Sequence, residues 1–150
     1  MAFRVVDVKK YVDEFANTNP EYITFHLEVN ANIGELITYI HSYNIKVGIS
    51  IKPYTKIEEI KEFLPDIEQV LVMSVEPGLG GQKFIEEVIP KIKLLKEIKE
   101  QNNYNYLISV DGGINEETVK LLDDADILSV GSYVCMNDNY QNQINKLRLE

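Results

Sequence analysis

A glycine-rich segment is the first part of the sequence whose residues could bind a ligand. Residues 73–84 read Met-Ser-Val-Glu-Pro-Gly-Leu-Gly-Gly-Gln-Lys-Phe, after a short apolar run and before a segment with helical spacing. Glycine at 78, 80 and 81 lets the backbone approach a ligand closely and adopt positive φ. At the carboxyl end of a strand, such a loop is suited to wrapping a phosphate or covering a substrate. The alternative is a flexible turn without a ligand, and the segment is neither a P-loop nor a dinucleotide-binding fingerprint.

A carboxylate follows a second apolar run. Residues 109–115 read Ser-Val-Asp-Gly-Gly-Ile-Asn, so that Asp111 stands at the end of a predicted strand. In a barrel this position faces the mouth of the site, where an Asp is a natural general acid or base. A turn-forming or helix-capping Asp is the alternative. A third motif, Val-Gly-Ser at 130–132, forms a small turn after the last run. Many barrels hold phosphate in the loops after their final two strands, which here are these two motifs.

The elements that would position these motifs alternate along the chain. Short β-branched runs predict strands at 22–26, 46–50, 70–73, 106–110 and 127–130, with a weaker candidate at 3–6. Helical spacing predicts helices at 9–16, 33–43, 57–63, 84–98, 116–122 and 141–147. Strands this apolar, each followed by a helix, predict a parallel sheet covered by helices, either an open doubly wound sheet or a barrel.

Composition narrows the classes of function. The chain has 150 residues, of which 45% are hydrophobic, and this predicts one globular domain over 1–150. A net charge of −9 argues against nucleic-acid binding, which relies on clustered Lys and Arg. No segment reaches the roughly eighteen apolar residues of a membrane span, and the N-terminus lacks the apolar core of a signal peptide. We therefore expect no nucleic-acid partner, no membrane span and a cytoplasmic location.

The few cysteine and histidine residues give no site of their own. Cys135 is the single cysteine, so no internal disulfide can form, and with His26 and His41 it gives no metal-binding spacing. We expect Cys135 to be a buried or partly buried thiol, because no base is nearby in sequence. His26 is interpreted as a structural histidine at a strand end, and His41 as a solvated residue on a helix.

The two longest motifs are similar to signature sequences of one family. Residues 72–84 resemble the first signature of ribulose-phosphate 3-epimerases, and residues 110–115 resemble the second, in the same order and at matching spacing. Supporting matches lie at 22–28, 47–55 and at Gly131 and Ser132. The resemblance implies a (β/α)8 TIM-barrel fold that is incomplete. About six βα units can be recognised, whereas a whole barrel needs roughly 200 to 250 residues.

The resemblance also implies a reaction and a site. Members of this family interconvert D-ribulose 5-phosphate and D-xylulose 5-phosphate, in the pentose phosphate pathway, by moving a proton at C3. Two Asp carboxylates exchange the proton, and a divalent metal (Zn, Fe, Mn or Co) stabilises the enediolate. Asp111 would be one of the carboxylates and a metal ligand. The substrate would be bound by Asp111 together with Gly78, Leu79, Gly80, Gly81, Gly112, Gly113, Gly131 and Ser132.

Some expected residues have no counterpart in this sequence. The first two βα units, which carry a substrate-binding Ser, a metal-binding His and the second Asp, are absent, and a further ligand His would fall at or near Ala2. Two functions therefore remain open: an epimerase, for this or another phosphosugar, or a catalytically inactive, phosphosugar-binding or interaction fragment. An unclosed barrel would expose strand edges and an apolar interior, so we also expect a homo-oligomer.

Overall fold

A computed structural model describes residues 8–78 and 80–148 of the chain. Its strands are β1 (Tyr22–His26), β2 (Lys46–Ile51), β3 (Gln69–Met73), β4 (Leu107–Asp111) and β5 (Ile127–Ser129). Its α-helices are α1 (Val8–Ala16), α2 (Ile33–His41), α3 (Ile89–Asn102), α4 (Ser132–Cys135) and α5 (Tyr140–Leu147). No helix within the described residues is long and apolar enough to cross a membrane.

The five strands form one parallel sheet in the order β1-β2-β3-β4-β5. Each strand therefore pairs with its neighbour in sequence, and the intervening segments cross over one side of the sheet. This confirms the predicted incomplete α/β barrel, because the described strands make an open, singly wound sheet. The weaker strand candidate at 3–6 lies outside the described residues.

Three predicted helical segments are tighter or shorter than expected. The segment at 57–63 forms two 3₁₀ turns, Ile57–Glu59 and Lys61–Asp66, and the one at 116–122 forms a single turn, Thr118–Leu121. Pro65 lies inside the second turn, where its missing N–H prevents a regular α-helix. The helix predicted from 84 begins only at Ile89, with Pro90 in its first turn, where no N–H donor is needed.

The strand register divides the sheet into an apolar face and a polar face. Residues that pair across parallel strands share a face, and so do residues two apart along one strand. The helix-covered face carries fully buried aliphatic side chains, among them Val47, Ile49, Val70, Val72 and Val110. With residues of α1, α2 and α3 they form the hydrophobic core. This core fixes which face of each strand the helices cover.

The opposite face, which would line the interior of a barrel, is largely polar. Thr24 Oγ1 donates to Gln69 Oε1 at 2.9 Å, and Gln69 Nε2 donates to Ser109 Oγ at 2.7 Å. These bonds run from β1 across β2 to β3 and β4. The expectation of an apolar interior is therefore wrong for the described strands. Polar side chains are tolerated at these half-buried or buried positions because they bond to one another.

Gly48 on β2 makes this chain of hydrogen bonds possible. A Cβ atom at Gly48 would lie 2.4 Å from Thr24 Oγ1 and 2.9 Å from Gln69 Oε1. The absent side chain leaves the gap through which the two side chains meet across β2. Glycine is otherwise a poor strand residue, so a close approach of this kind explains its presence.

Two acidic residues, Glu68 and Asp126, anchor the amino ends of β2 and β4, and both do so through the same kind of contact. Glu68 Oε2 accepts from Val47 N at 2.7 Å and contacts His41 Nε2 at 3.1 Å. Asp126 Oδ2 accepts from Ile108 N at 2.8 Å and from Lys99 Nζ at 3.1 Å. Each carboxylate thus ties the start of a strand to the last turn of the preceding helix. His41, interpreted as a solvated residue, takes part in this anchor.

Cys135 lies at the end of α4 and is exposed. The expectation of a buried or partly buried thiol is therefore wrong. The helix that carries Cys135 follows the last described strand and has no buried residue, although it packs against α5.

We predict that Gly48→Ala destabilises the fold by about 1 to 3 kcal/mol, because the added methyl group overpacks the gap and separates Thr24 from Gln69. Urea denaturation measures the change. The matched control is Gly34→Ala in α2, where the new Cβ would meet only Asn32 Oδ1 at 3.7 Å. Its stability should be unchanged or slightly higher, because Ala is the better helix former. Equal stability of the two variants would contradict the role assigned to Gly48.

Candidate functional site

A cavity of about 490 Å³ opens at the carboxyl edge of the sheet. Its walls are the loops that follow β3, β4 and β5. Because all strands are parallel, their carboxyl ends meet at one edge, so three motifs that are far apart in sequence come together. The predicted site residues that line this cavity are Gly78, Gly80, Gly81, Asp111, Gly112, Gly113, Gly131 and Ser132. Leu79, also predicted, lies outside the described residues.

Asp111 is one of two acidic residues, with Glu76, that line this cavity. It is the last residue of β4 and is half-buried, and burial raises the pKa of its carboxyl group above the usual range. Its carboxylate has no hydrogen-bond or ion-pair partner among the described residues. A carboxylate of this kind, on a rigid strand end and without a structural partner, can accept or donate a proton.

Ser74 joins the ends of β3 and β4 beneath the cavity. Its side chain is fully buried, its N–H donates to Asp111 O at 2.9 Å, and its Oγ lies 2.6 Å from Gly112 O and 3.0 Å from Asp111 O. The hydroxyl has one proton, and the shorter contact identifies Gly112 O as its main acceptor. Ser74 O in turn accepts from Ile85 N at 2.8 Å, which returns the glycine loop to the sheet. The Asp111 backbone and both ends of this loop are therefore fixed by one residue.

Gly112 and Gly113 let the glycine loop lie directly against β4. Both have positive φ, at 124° and 65°. A Cβ on Gly112 would lie 2.5 Å from Val75 Cγ2, and one on Gly113 would lie 2.5 Å from Phe84 N. These glycines are needed for packing as well as for any ligand that approaches them.

Gly80 and Gly131 stand in open space. A Cβ atom on either residue would meet nothing within 4 Å, and the same holds for Gly78 and Gly81, which have positive φ. No packing requirement within the described structure explains glycine at 80 and 131. A bound ligand that approaches the backbone would explain it.

The turns after β4 and β5 present backbone donors to the cavity. Among the described residues, no acceptor bonds to the N–H groups of Gly112 and Gly113. Gly131 and Ser132 face them across the cavity, at the start of α4. Unpaired N–H groups on turns that line one cavity are suited to an anion such as phosphate.

Sequence reasoning missed several residues of the cavity. Ser129 lines it because its register partner on β4 is Asp111, and Tyr133 lines it from α4. A signal was present for Ser129, since it is a polar residue at the end of a predicted strand. Met73, the last residue of β3, is 8% exposed and lines the same cavity.

The described residues do not form a metal centre. Within them, no group of three or more His, Cys, Asp or Glu side chains could hold an ion. Asp111 is a suitable oxygen ligand, but one carboxylate does not make a site. The histidines stand elsewhere: His41 is bound to Glu68, and His26 ends β1, three strands from Asp111. His26 is buried, which lowers its pKa, and its Nδ1 has no hydrogen-bond partner.

We predict that Gly113→Ala lowers the free energy of unfolding by about 1 to 3 kcal/mol, because it combines positive φ with a backbone clash. Gly80→Ala should leave that free energy unchanged, since its φ is not positive and its Cβ would lie in open space. Urea denaturation of both variants tests the difference. A destabilised Gly80→Ala, or an unchanged Gly113→Ala, would show that the loop packs differently.

Comparison with known proteins places this architecture in a family. The sequence profile described as "Ribulose-phosphate 3 epimerase family" matches residues 1–135. The chain is 34% identical over 142 residues to ribulose-phosphate 3-epimerase from Bacillus subtilis and covers 65% of that protein. It is 37% identical over 123 residues to the Treponema pallidum protein of the same name and covers 56% of it. These matches span 93% and 81% of this chain, which is thus shorter than its relatives.

Solved structures show the same fold at low sequence identity. KGPDC from Streptococcus mutans, solved in complex with a phosphosugar, superposes with a TM-score of 0.70 at 15% identity, covering 98% of this chain and 68% of that one. Tryptophan synthase from Mycobacterium tuberculosis gives a TM-score of 0.63 at 11% identity, covering 94% and 52%. The solved structures show a shared fold only, whereas the sequence matches show a shared family. The chain belongs to the ribulose-phosphate 3-epimerase family.

Proposed function

We propose that this chain, alone or as part of a longer product, interconverts D-ribulose 5-phosphate and D-xylulose 5-phosphate by proton transfer at C3. The observation that carries the proposal is the Asp111 carboxylate, which has no bonding partner among the described residues and lines one cavity together with the glycine loops. Family membership supports the reaction type. The cytoplasm and the pentose phosphate pathway are the setting that we infer for it.

The phosphate of the sugar is proposed to lie between the turns after β4 and β5. Backbone N–H groups of Gly112, Gly113, Gly131 and Ser132 would donate to its oxygens, and none of these contacts depends on a side-chain charge. The S. mutans structure, which shares the fold and contains a phosphosugar, supports a ligand of this class. The open positions of Gly78, Gly80 and Gly81 leave room for the sugar beside the loop after β3.

Asp111 then acts at the carbon next to the reacting carbonyl group. In one direction its carboxylate accepts the C3 proton, and in the other its protonated form returns a proton to the same face. The raised pKa of Asp111 favours this cycle, because a carboxyl group whose pKa lies closer to neutral pH both accepts and releases protons readily. Inversion also needs a proton donor on the opposite face of the carbon. The family resemblance assigns that role to a carboxylate in the units that precede this sequence in the relatives.

A divalent metal is part of the family resemblance, with Asp111 as one ligand. The described residues do not supply the remaining ligands, so the proposed proton transfer includes no step through a metal. Of the ligands expected from the resemblance, one His and the second Asp would come from the same preceding units, and the further His falls at or near Ala2, where this sequence has none.

A second candidate function is phosphosugar binding without catalysis. It is favoured because, among the described residues, Asp111 is the one carboxylate assigned to proton transfer, whereas inversion needs an acid or base on each face of the carbon. In this case the glycine loops would still bind phosphate. The two candidate functions therefore predict different turnover of the phosphosugar but the same binding of its phosphate.

We also propose that the chain self-associates. In the described sheet β5 has a strand on one side only, and edge strands of this kind tend to pair with another chain. Beyond β5, helix α5 has no buried residue and exposes Tyr140 and Ile144. A second copy would cover both features.

We predict that Asp111→Asn lowers turnover of D-ribulose 5-phosphate, assayed with added divalent metal, by about 10²- to 10⁴-fold, the usual contribution of a general acid or base. The Asn side chain has nearly the same shape, so the fold should persist. The control is Asp123→Asn, an exposed residue between the Thr118–Leu121 turn and β5, at the opposite edge of the sheet. Equal turnover in Asp111→Asn and wild type, or none in either with D-ribulose 5-phosphate still bound, would favour the non-catalytic function.

We predict that the average molar mass measured by light scattering rises with protein concentration and approaches or exceeds the mass of a dimer. Ile127→Lys should shift this rise to higher concentration, because a charge on an edge strand opposes pairing. Leu94→Lys is the matched control, since Leu94 on α3 is equally exposed, at 38%, and lies away from β5. A monomer at all concentrations would refute self-association.

A further inference from the structure

A side-chain hydrogen bond joins the two turns to which the phosphate is assigned. Tyr133 Oη donates to Glu116 Oε2 at 3.1 Å. Glu116 follows Asn115 and Tyr133 follows Ser132, so each partner is next to a residue of the cavity wall, and Tyr133 lines the cavity itself. In the part of the chain that the structure describes, no other side-chain hydrogen bond links these turns.

The two turns have few other restraints on their spacing. The β4 and β5 ladder ends at the pair Asp111 and Ser129, and no backbone hydrogen bond between described residues joins the turns beyond it. β5 has only three residues, and α4 has none that is buried. Apart from the partly buried Val130, which packs against the core, burial does little to fix the turn after β5 relative to the turn after β4. A specific bond between the two turns can therefore set their spacing.

The acceptor of this bond is suited to its task. The hydrogen bond from Tyr133 and the nearby Lys146 lower the pKa of the Glu116 carboxyl, so the acceptor is ionised at neutral pH. Hydrogen bonds to an ionised acceptor are stronger than those between neutral groups. Lys146 of α5 lies 3.4 Å from Glu116 Oε2 and offsets its negative charge, which would otherwise repel a phosphate.

We propose that Tyr133 is a positioning residue for phosphate binding. Its bond to Glu116 holds the turn with Gly131 and Ser132 at the distance from Gly112 and Gly113 at which both bind one phosphate group. The inference rests on the proposed function, because it assumes a sugar phosphomonoester as the ligand. Tyr133 makes no contact with the reacting carbon in this arrangement.

A positioning role at the phosphate end affects binding and leaves the chemical step alone. An interaction made equally in the bound substrate and the transition state changes KM and not kcat. A hydrogen bond contributes on the order of 0.5 to 1.5 kcal/mol, which corresponds to about a two- to tenfold change in affinity. Any effect should vanish for a sugar without phosphate.

The test is calorimetric titration of the full chain with D-ribulose 5-phosphate and, separately, with inorganic phosphate. The variants are Tyr133→Phe, Glu116→Ala, the double variant and Glu116→Gln, which keeps an oxygen acceptor. Tyr140→Phe, exposed on α5, is the control for the loss of a phenol hydroxyl. Where turnover is measurable, KM and kcat are compared for the same proteins.

We expect Tyr133→Phe and Glu116→Ala each to lower the affinity for both ligands by about two- to tenfold. The double variant should bind no more weakly than either single variant, because the two changes remove one shared bond. Glu116→Gln should retain most of the affinity, and Tyr140→Phe all of it. If the wild-type chain binds D-ribulose 5-phosphate but Tyr133→Phe binds it equally well, or kcat falls without a change in KM, the positioning role is wrong. A wild-type chain that binds neither ligand overturns the proposed function and this inference with it.

Discussion

The buried hydroxyl of Ser74 is the contact on which the candidate site depends. It ties the end of β3 to the end of β4, and its backbone oxygen holds the glycine loop where that loop turns back toward α3. Because Ser74 is fully buried, water does not compete for these bonds, and a buried donor without a partner would be costly. The position of Asp111 relative to the loop is therefore set by backbone contacts and does not depend on the Asp111 side chain. That arrangement leaves the carboxylate available for chemistry.

The two faces of the sheet separate folding from function. The helix-covered face carries the aliphatic core, which supplies the hydrophobic stabilisation and needs no polar partner. The opposite face carries Thr24, Gln69 and Ser109, joined through the gap at Gly48, and ends at the cavity. At the amino edge, Glu68 and Asp126 repeat one anchor between a helix and a strand. The amino edge thus carries structural anchors, and the carboxyl edge carries the candidate site.

Much of this arrangement could be predicted from the sequence, because parallel strands leave a strong pattern. The described strands begin and end within one residue of the predicted ones, and residues of the three glycine-containing motifs line one cavity. Properties that depend on packing between distant residues could not be predicted. The polar inner face is one, since Thr24 and Gln69 are 45 residues apart and their bond passes through the space at Gly48. The exposure of Cys135 is another such property, because it depends on how much of the rest of the chain packs against α4.

The described residues supply the groups assigned to the phosphate, but only one of the groups needed for proton transfer. The strand order explains this difference. Everything assigned to the phosphate comes from the turns after β4 and β5, which are neighbours in the sheet and both present. Proton transfer with inversion needs groups on opposite sides of one carbon, and in a closed barrel those groups come from strands facing each other across the axis. The five described strands form an open sheet, which supplies one side of that axis. The phosphate site that we propose is therefore local to this part of a barrel, whereas epimerisation depends on groups from around the closed ring.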